Sequence, residues 1–243
     1  ATSGIGKATA IKFAQEGHRL ILTGRRNDRL INLKEELESK FGIQVLIKCF
    51  DIRSKEEVIK VINSLDNGWQ EIDVLINNAG LALNLDPINK GNLEDWDTMI
   101  DTNLKGLLYI SKLVSRLMIK KKGGHIINIG SIAGKEAYAN GNVYCATKHA
   151  IEGLTKAMRL DLFQHGIKVS QLAPGAVDTE FSRVRFKGDM EAANKTYQGY
   201  KPLTGEDVAE SIYFIASQPD HVNICDLLIM PSAQASATSF NKK

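Results

Sequence analysis

Tyr144 and Lys148 lie four residues apart in a stretch with helical patterning, so they share one face a single turn apart. A phenol with a reference pKa near ~10 carries little phenolate at neutral pH. A cation about 4 Å away, at an effective dielectric near ~20, supplies about 4 kcal/mol, or roughly three pKa units. Such a pair could take a proton from an alcohol, or return one to a carbonyl oxygen, near its working pH. Ser131 follows an apolar strand-like run, at the carboxyl end of a sheet where ligands bind in such folds. Asn103 lies on an inward stripe between Ile100 and Leu104, where a buried amide needs partners or costs a few kcal/mol. A tyrosine and a lysine at helical spacing are usually core and surface. Their combination with Ser131, downstream of two glycine-bearing segments, is what carries weight.

The first of those segments is Thr2-Ser3-Gly4-Ile5-Gly6, ahead of a helical pattern from Lys7 to Gln15. Glycines there allow a tight turn and bring bare backbone near a pyrophosphate, and the helix start offers free amides. The second is Asn77-Asn78-Ala79-Gly80. Thr23-Gly24-Arg25-Arg26 closes another strand-like run, at the point that faces an adenosine ribose in a dinucleotide fold. An acidic side chain there would accept from the ribose hydroxyls and repel a phosphate. Two guanidinium forks suit a phosphate ester instead, which favours NADP over NAD.

Elements able to position these groups alternate along the chain. Arg19 to Thr23, Ile43 to Cys49, Ile72 to Ile76, His125 to Ile129, Ile167 to Leu172 and Asp226 to Met230 read as strands. Helical patterns run from Asp28 to Lys40, Lys55 to Leu65, Leu93 to Lys121, Asn142 to His165 and Glu206 to Ser217. The rhythm predicts an α/β fold: a Rossmann-type doubly wound parallel sheet in three αβα layers. No linker or repeat divides residues 1–243, so one domain is expected. The polar stretch from Asp178 to Lys201 breaks the rhythm and reads as an irregular functional loop, 178–203 with its flanks.

Composition excludes several classes. The 243 residues carry a net charge of +3, with no extended basic stripe for nucleic acid. No apolar run approaches the roughly 18 residues of a membrane span. Cys49, Cys145 and Cys225 are scattered and lack metal-ligand spacing, which predicts a reducing, cytoplasmic setting and no metal. Cys145 and His149, beside the Tyr-Lys pair, read as packing or solvent-facing residues.

Ser3-Gly4-Ile5-Gly6, Asn77-Asn78-Ala79-Gly80, Asn103, Ser131, Tyr144-Cys145-Ala146-Thr147-Lys148 and Pro174-Gly175 together resemble the short-chain dehydrogenase/reductase family over the whole chain. The resemblance implies an oxidoreductase acting on CH–OH donors. It implies Tyr144 as general acid/base, Lys148 as its activator and nicotinamide-ribose ligand, Ser131 as substrate-orienting donor, and Asn103 as holder of a water relay. By position it places Asp51 and Ile52 beside the adenine, and Asn78, Ala79 and Gly80 at the cofactor. Pro174, Gly175, Val177 and Thr179 fall beside the nicotinamide carboxamide. The family's opening strand and leading Thr-Gly would precede Ala1. Without them two strand edges and one wall of the cofactor site are expected to stand open.

Asp226 to Ala235, Thr23 to Arg26 and Glu180 to Phe186 are similar to the NADP-dependent 3-hydroxy acid, serine and allo-threonine dehydrogenase branch. A carboxylate substrate would want a cation, and Arg185 is the candidate. Two other readings stay open: a reductase of bulkier carbonyls or 3-oxoacyl thioesters, and a non-catalytic NADPH-binding regulator. The family is often tetrameric through its two long helices, so a homotetramer is expected.

Overall fold

The structure, a computed structural model, describes residues 1–243. Its strands are β1 Leu20–Gly24, β2 Val45–Cys49, β3 Val74–Asn77, β4 Gly124–Ile129, β5 Ile167–Pro174 and β6 Asp226–Ile229. Its α-helices are α1 Gly4–Gln15, α2 Asn27–Phe41, α3 Lys55–Asn63, α4 Asn67–Gln70, α5 Leu93–Ile100, α6 Gly106–Lys121, α7 Asn142–Leu162, α8 Glu180–Arg185, α9 Met190–Lys195 and α10 Gly205–Ala216. All pairings among the strands are parallel. β2 pairs with β1, while β3, β4, β5 and β6 bond in that order.

Successive side chains on a strand point to opposite faces, and β4 shows the consequence. Ile126 enters a core with Phe50, Val58, Ile110, Val114, Met118 and Val169, under α3, α6 and α7. Ile127 and Ile129 enter the opposite core with Phe13, Leu172, Val208, Ile212 and Ile215, under α1 and α10. A third cluster, built on Leu22, Leu30, Leu33, Leu37 and Val45, seats α2 on β1 and β2. This is the Rossmann-type layering that the alternating pattern predicts. β1 and β3 do not pair with each other. Their facing edges border an apolar cleft past Leu20, Leu22, Val74 and Ile76.

Two expectations are corrected. The pattern from Leu93 to Lys121 predicts one helix, but a π-helical turn, Asp101–Lys105, separates α5 from α6. Such turns insert an extra residue and often mark functional sites, and here Asn103 sits in the turn fully buried. The stretch from Asp178 to Lys201 is not irregular, since it folds into α8 and α9. Thr179 and Asp189 cap them by accepting from the Phe181 and Ala192 amides.

A buried polar weld fixes the sheet's carboxyl end. Asn77 Nδ2 donates to Asn128 Oδ1 and to Ser111 Oγ, each at 2.8 Å. Asn128 Nδ2 donates to Thr155 Oγ1 at 2.9 Å. The four side chains thus join β3, β4, α6 and α7. Replacing Asn128 with Leu would leave an Asn77 donor buried without a partner. Asn128→Leu is expected to cost about 1–3 kcal/mol in urea unfolding.

Candidate active site

A continuous space of about 1040 Å³ runs from the cleft between β1 and β3 to the carboxyl ends of the strands, the place where open parallel sheets bind ligands. It is lined by residues 1–6, Arg25 and Arg26, Asp51 and Ile52, residues 77–81, residues 129–133, Tyr144 and Lys148, residues 174–177, and Thr179 to Ser182 with Arg185. Every residue that the sequence assigns to catalysis, cofactor or substrate borders this space except Asn103. That side chain stands one layer behind it.

Tyr144 and Lys148 project from the first two turns of α7 and are 8% and 6% exposed. The Lys148 ammonium lies 5.9 Å from the centre of the Tyr144 ring. It donates to the Ile129 carbonyl at the end of β4, at 2.8 Å. Ser131 caps a short 3-10 turn, Ile132–Gly134, by accepting from the Ala133 amide at 3.1 Å. That turn lies so close to α7 that a Cβ on Gly134 would stand 2.6 Å from the Lys148 carbonyl oxygen. Asn103 donates from Nδ2 to the Leu81 carbonyl at 2.8 Å and to Thr147 Oγ1 at 3.1 Å, and Oδ1 accepts from the Leu81 amide. Both amide hydrogens are therefore engaged within the protein. The side chain locks the segment after Asn78-Ala79-Gly80 to α7, one turn from Tyr144.

In the protein alone, burial outweighs the nearby cation. The simple cation arithmetic predicts a phenol drawn down toward neutrality. Burial instead pushes Tyr144 up to about 12, with the Arg185 charge and the Ser131 hydroxyl pulling the other way. Burial also pushes Lys148 down to about 8. The same exclusion of water that would strengthen the attraction disfavours both charged forms, and in the protein alone that penalty wins.

The glycine segment fits an anionic diphosphate. α1 starts inside it, at Gly4, and its first-turn amides, which no helix carbonyl can reach, open toward the cavity. Gly4 has φ +50, and a Cβ there would stand 3.0 Å from Thr179. A Cβ on Gly6 would stand 2.7 Å from Asn78 Nδ2, so the segment and the end of β3 are in direct contact. Ile5 packs on the core beneath. Ser3 Oγ makes no cap and accepts from Arg26, which also donates to Thr2.

The two adjacent arginines part company. Arg26 and Arg29 both grip Glu180, at 2.9 and 2.7 Å, and hold its carboxyl down at about 2. Arg25 is 60% exposed at its side chain, and its nearest acid is Asp51 at 3.9 Å. Asp51 is instead clasped by the Arg53 guanidinium and backbone amide, which lower its pKa. Ile52 packs on Gly106 at the start of α6. Across the cavity, Gly175 donates to the Ile229 carbonyl, and the Val177 carbonyl accepts from Tyr197.

Arg185 is the least satisfied cation of the site. Its guanidinium lies 5.1 Å from the centres of both the Tyr144 and Phe181 rings and donates to Tyr138 Oη at 3.1 Å. Its Nε is buried with no partner. Sequence reasoning missed Glu180, Arg29 and Tyr138, which act through contacts across more than forty residues of chain and leave no local pattern. Cys145 is buried beside Tyr144, and its carbonyl meets His149 Nδ1 at 2.9 Å.

The burial of Lys148 yields a test. Below pH 8 its charge is present in the folded state at a cost, and that cost fades as pH rises from about 8 toward the ordinary lysine value of 10.5. Lys148→Met is therefore expected to abolish turnover while stabilising the fold by roughly 1–3 kcal/mol at pH 7. Thermal midpoints should show that gain shrinking as the pH approaches 10.5.

The chain has matches among known proteins. The family model for short chain dehydrogenases matches residues 1–189. The NADP-dependent 3-hydroxy acid dehydrogenase YdfG of Salmonella typhi is 47% identical over 238 residues, 98% of this chain and 94% of its own length. Serine 3-dehydrogenase of Agrobacterium fabrum is 43% identical over 238 residues, covering 98% and 93%. A closed form of serine dehydrogenase solved with NADP+ superposes with a TM-score of 0.92 at 44% identity, covering 100% of this chain and 97% of that one. These matches, reaching nearly from end to end, establish that the chain belongs to the short chain dehydrogenase family.

Proposed function

We propose that this oxidoreductase moves a hydride between NADP(H) and a small 3-hydroxy acid of the serine, allo-threonine or 3-hydroxybutyrate type. The observation that carries the substrate class is Arg185. A guanidinium on the cavity wall, stacked beside the proposed acid/base and engaged by a single hydrogen bond to Tyr138, is a ready partner for a carboxylate. The names of the most similar relatives point the same way.

When bound, NADP+ supplies the hydride acceptor and a positive nicotinamide ring. Ser3, Gly4, Ile5 and Gly6 would hold its diphosphate, and Arg25 and Arg26 the ribose phosphate. Asp51 and Ile52 would flank the adenine. Asn78, Ala79 and Gly80 would support the cofactor's middle, with Pro174, Gly175, Val177 and Thr179 at the carboxamide. Arg25 has the more open guanidinium of the pair, since Arg26 is already engaged by Thr2, Ser3 and Glu180.

In the oxidising direction, Ser131 Oγ holds the substrate oxygen and Tyr144 Oη takes its proton. Lys148 stabilises the phenolate and grips the nicotinamide ribose with donors that Ile129 does not occupy. Asn103 keeps the Leu81 segment and α7 in register, which preserves the path for a water relay. The loop 178–203 brings Arg185 to the substrate carboxylate. Leu93, Leu108, Leu160 and Phe163 leave exposed apolar surface on the two long helical segments, which supports a homotetramer.

Initial rates with L-serine, L-allo-threonine and 3-hydroxybutyrate test the reading, each offered with NADP+ and with NAD+. Turnover with NADP+ in preference to NAD+ is expected. A charge-assisted contact of ordinary strength implies that Arg185→Ala raises KM for these acids about tenfold to hundredfold. An unchanged KM would remove the carboxylate assignment. Turnover of neutral bulky ketones instead would favour the bulkier-carbonyl reading.

A further inference from the structure

We propose that Asp95 is a positioning residue for Arg185: it anchors the 178–203 loop to α5 and thereby sets where the guanidinium stands. The inference rests on the reading that Arg185 receives a substrate carboxylate.

Asp95 lies in the first turn of α5 and is 9% exposed. Its Oδ2 accepts from Asn84 Nδ2 and pairs with the Lys187 ammonium, each at 2.8 Å. Both routes lead to Arg185. The Asn84 amide donates to the Arg185 carbonyl at 2.8 Å. Lys187 lies two residues beyond, just past the end of α8. A single carboxylate oxygen therefore fixes the backbone of Arg185 from one side and the turn after it from the other.

The backbone around this anchor is unusual. Asn84 has φ +55 and Lys187 φ +51, both in the left-handed region. Asparagine tolerates that region, whereas a long side chain such as lysine rarely adopts it. A left-handed lysine persists where its surroundings hold it: the Lys187 and Gly188 amides donate to the Val184 and Arg183 carbonyls, closing α8 with Lys187 in that region, and the ion pair with Asp95 tethers the turn to α5. α5 also carries Met99, which packs in the same cluster as Tyr144. One helix thus references both the proposed acid/base and the proposed carboxylate receptor, although Asp95 itself makes no hydrogen bond to either side chain.

A merely structural carboxylate would affect all substrates alike. A positioning carboxylate would affect those that need Arg185. Asp95→Asn, Lys187→Met and Lys187→Arg are compared with the parent protein, using NADP+ with 3-hydroxybutyrate or its methyl ester. Lys187 is half exposed, so its variants keep the test alive if Asp95→Asn folds poorly. KM for the acid is expected to rise about tenfold in Asp95→Asn and roughly threefold in Lys187→Met. Values of kcat, KM for the ester, and the NADPH dissociation constant read by nicotinamide fluorescence should stay within about twofold. Lys187→Arg should restore the KM for the acid.

Equal rises for acid and ester would overturn the proposal, as would an unchanged KM for the acid in both Asp95→Asn and Lys187→Met while Arg185→Ala raises it. An Arg185→Ala protein with unchanged KM for the acid would fail the substrate reading first, and this inference with it.

Discussion

The arrangement turns on a lysine ammonium held in the interior. Lys148 has the Ile129 carbonyl as its partner, so the end of β4 and the first turns of α7 must meet at one fixed distance. Several features enforce that meeting. Gly134 lets the 3-10 turn lie against α7 at the Lys148 carbonyl. Asn103 ties α7 to the Leu81 segment, and the Asn77–Asn128–Thr155 chain ties α7 to β3 and β4. A buried charge with few partners is costly. The fold carries that cost at the point where the proposed chemistry needs a cation beside a phenol.

Burial determines more than position. It raises Tyr144 and lowers Lys148, so the protein alone keeps the phenol protonated. Arg185 is a second cation beside the same ring, with a buried N–H unpaired. A site with two poorly neutralised cations and one reluctant acid favours anionic ligands. In the proposed function that ligand is the substrate carboxylate, and the nicotinamide charge provides what Lys148 cannot provide unaided.

Much of this was legible in the sequence because it rests on local regularities. Alternating apolar runs and amphipathic stretches located the parallel strands and their crossover helices to within a few residues. Tyr144, Lys148 and Ser131 were found because helical spacing and a strand end placed them on one cavity. Other features depend on contacts between distant segments. The π turn at Asp101–Lys105 answers to Leu81 and Thr147, not to any pattern in the helix that it interrupts. Glu180 meets Arg26 and Arg29 across the cavity mouth. Asn128 sits among isoleucines on β4, and only the neighbouring side chains show why a polar residue belongs there. The upward shift of Tyr144 in the protein alone is not legible in the sequence, because spacing reveals the nearby cation, whereas the loss of water appears only once the walls are in place.

The most direct test is a phenolate titration by ultraviolet difference absorbance, comparing the parent protein with Tyr144→Phe, alone and with saturating NADP+. If burial governs the phenol, the protein alone shows no Tyr144 phenolate until the pH nears about 12, and NADP+ moves that ionisation to lower pH. A Tyr144 phenolate forming near neutral pH without cofactor would contradict the account, because Lys148 alone would then suffice to activate it.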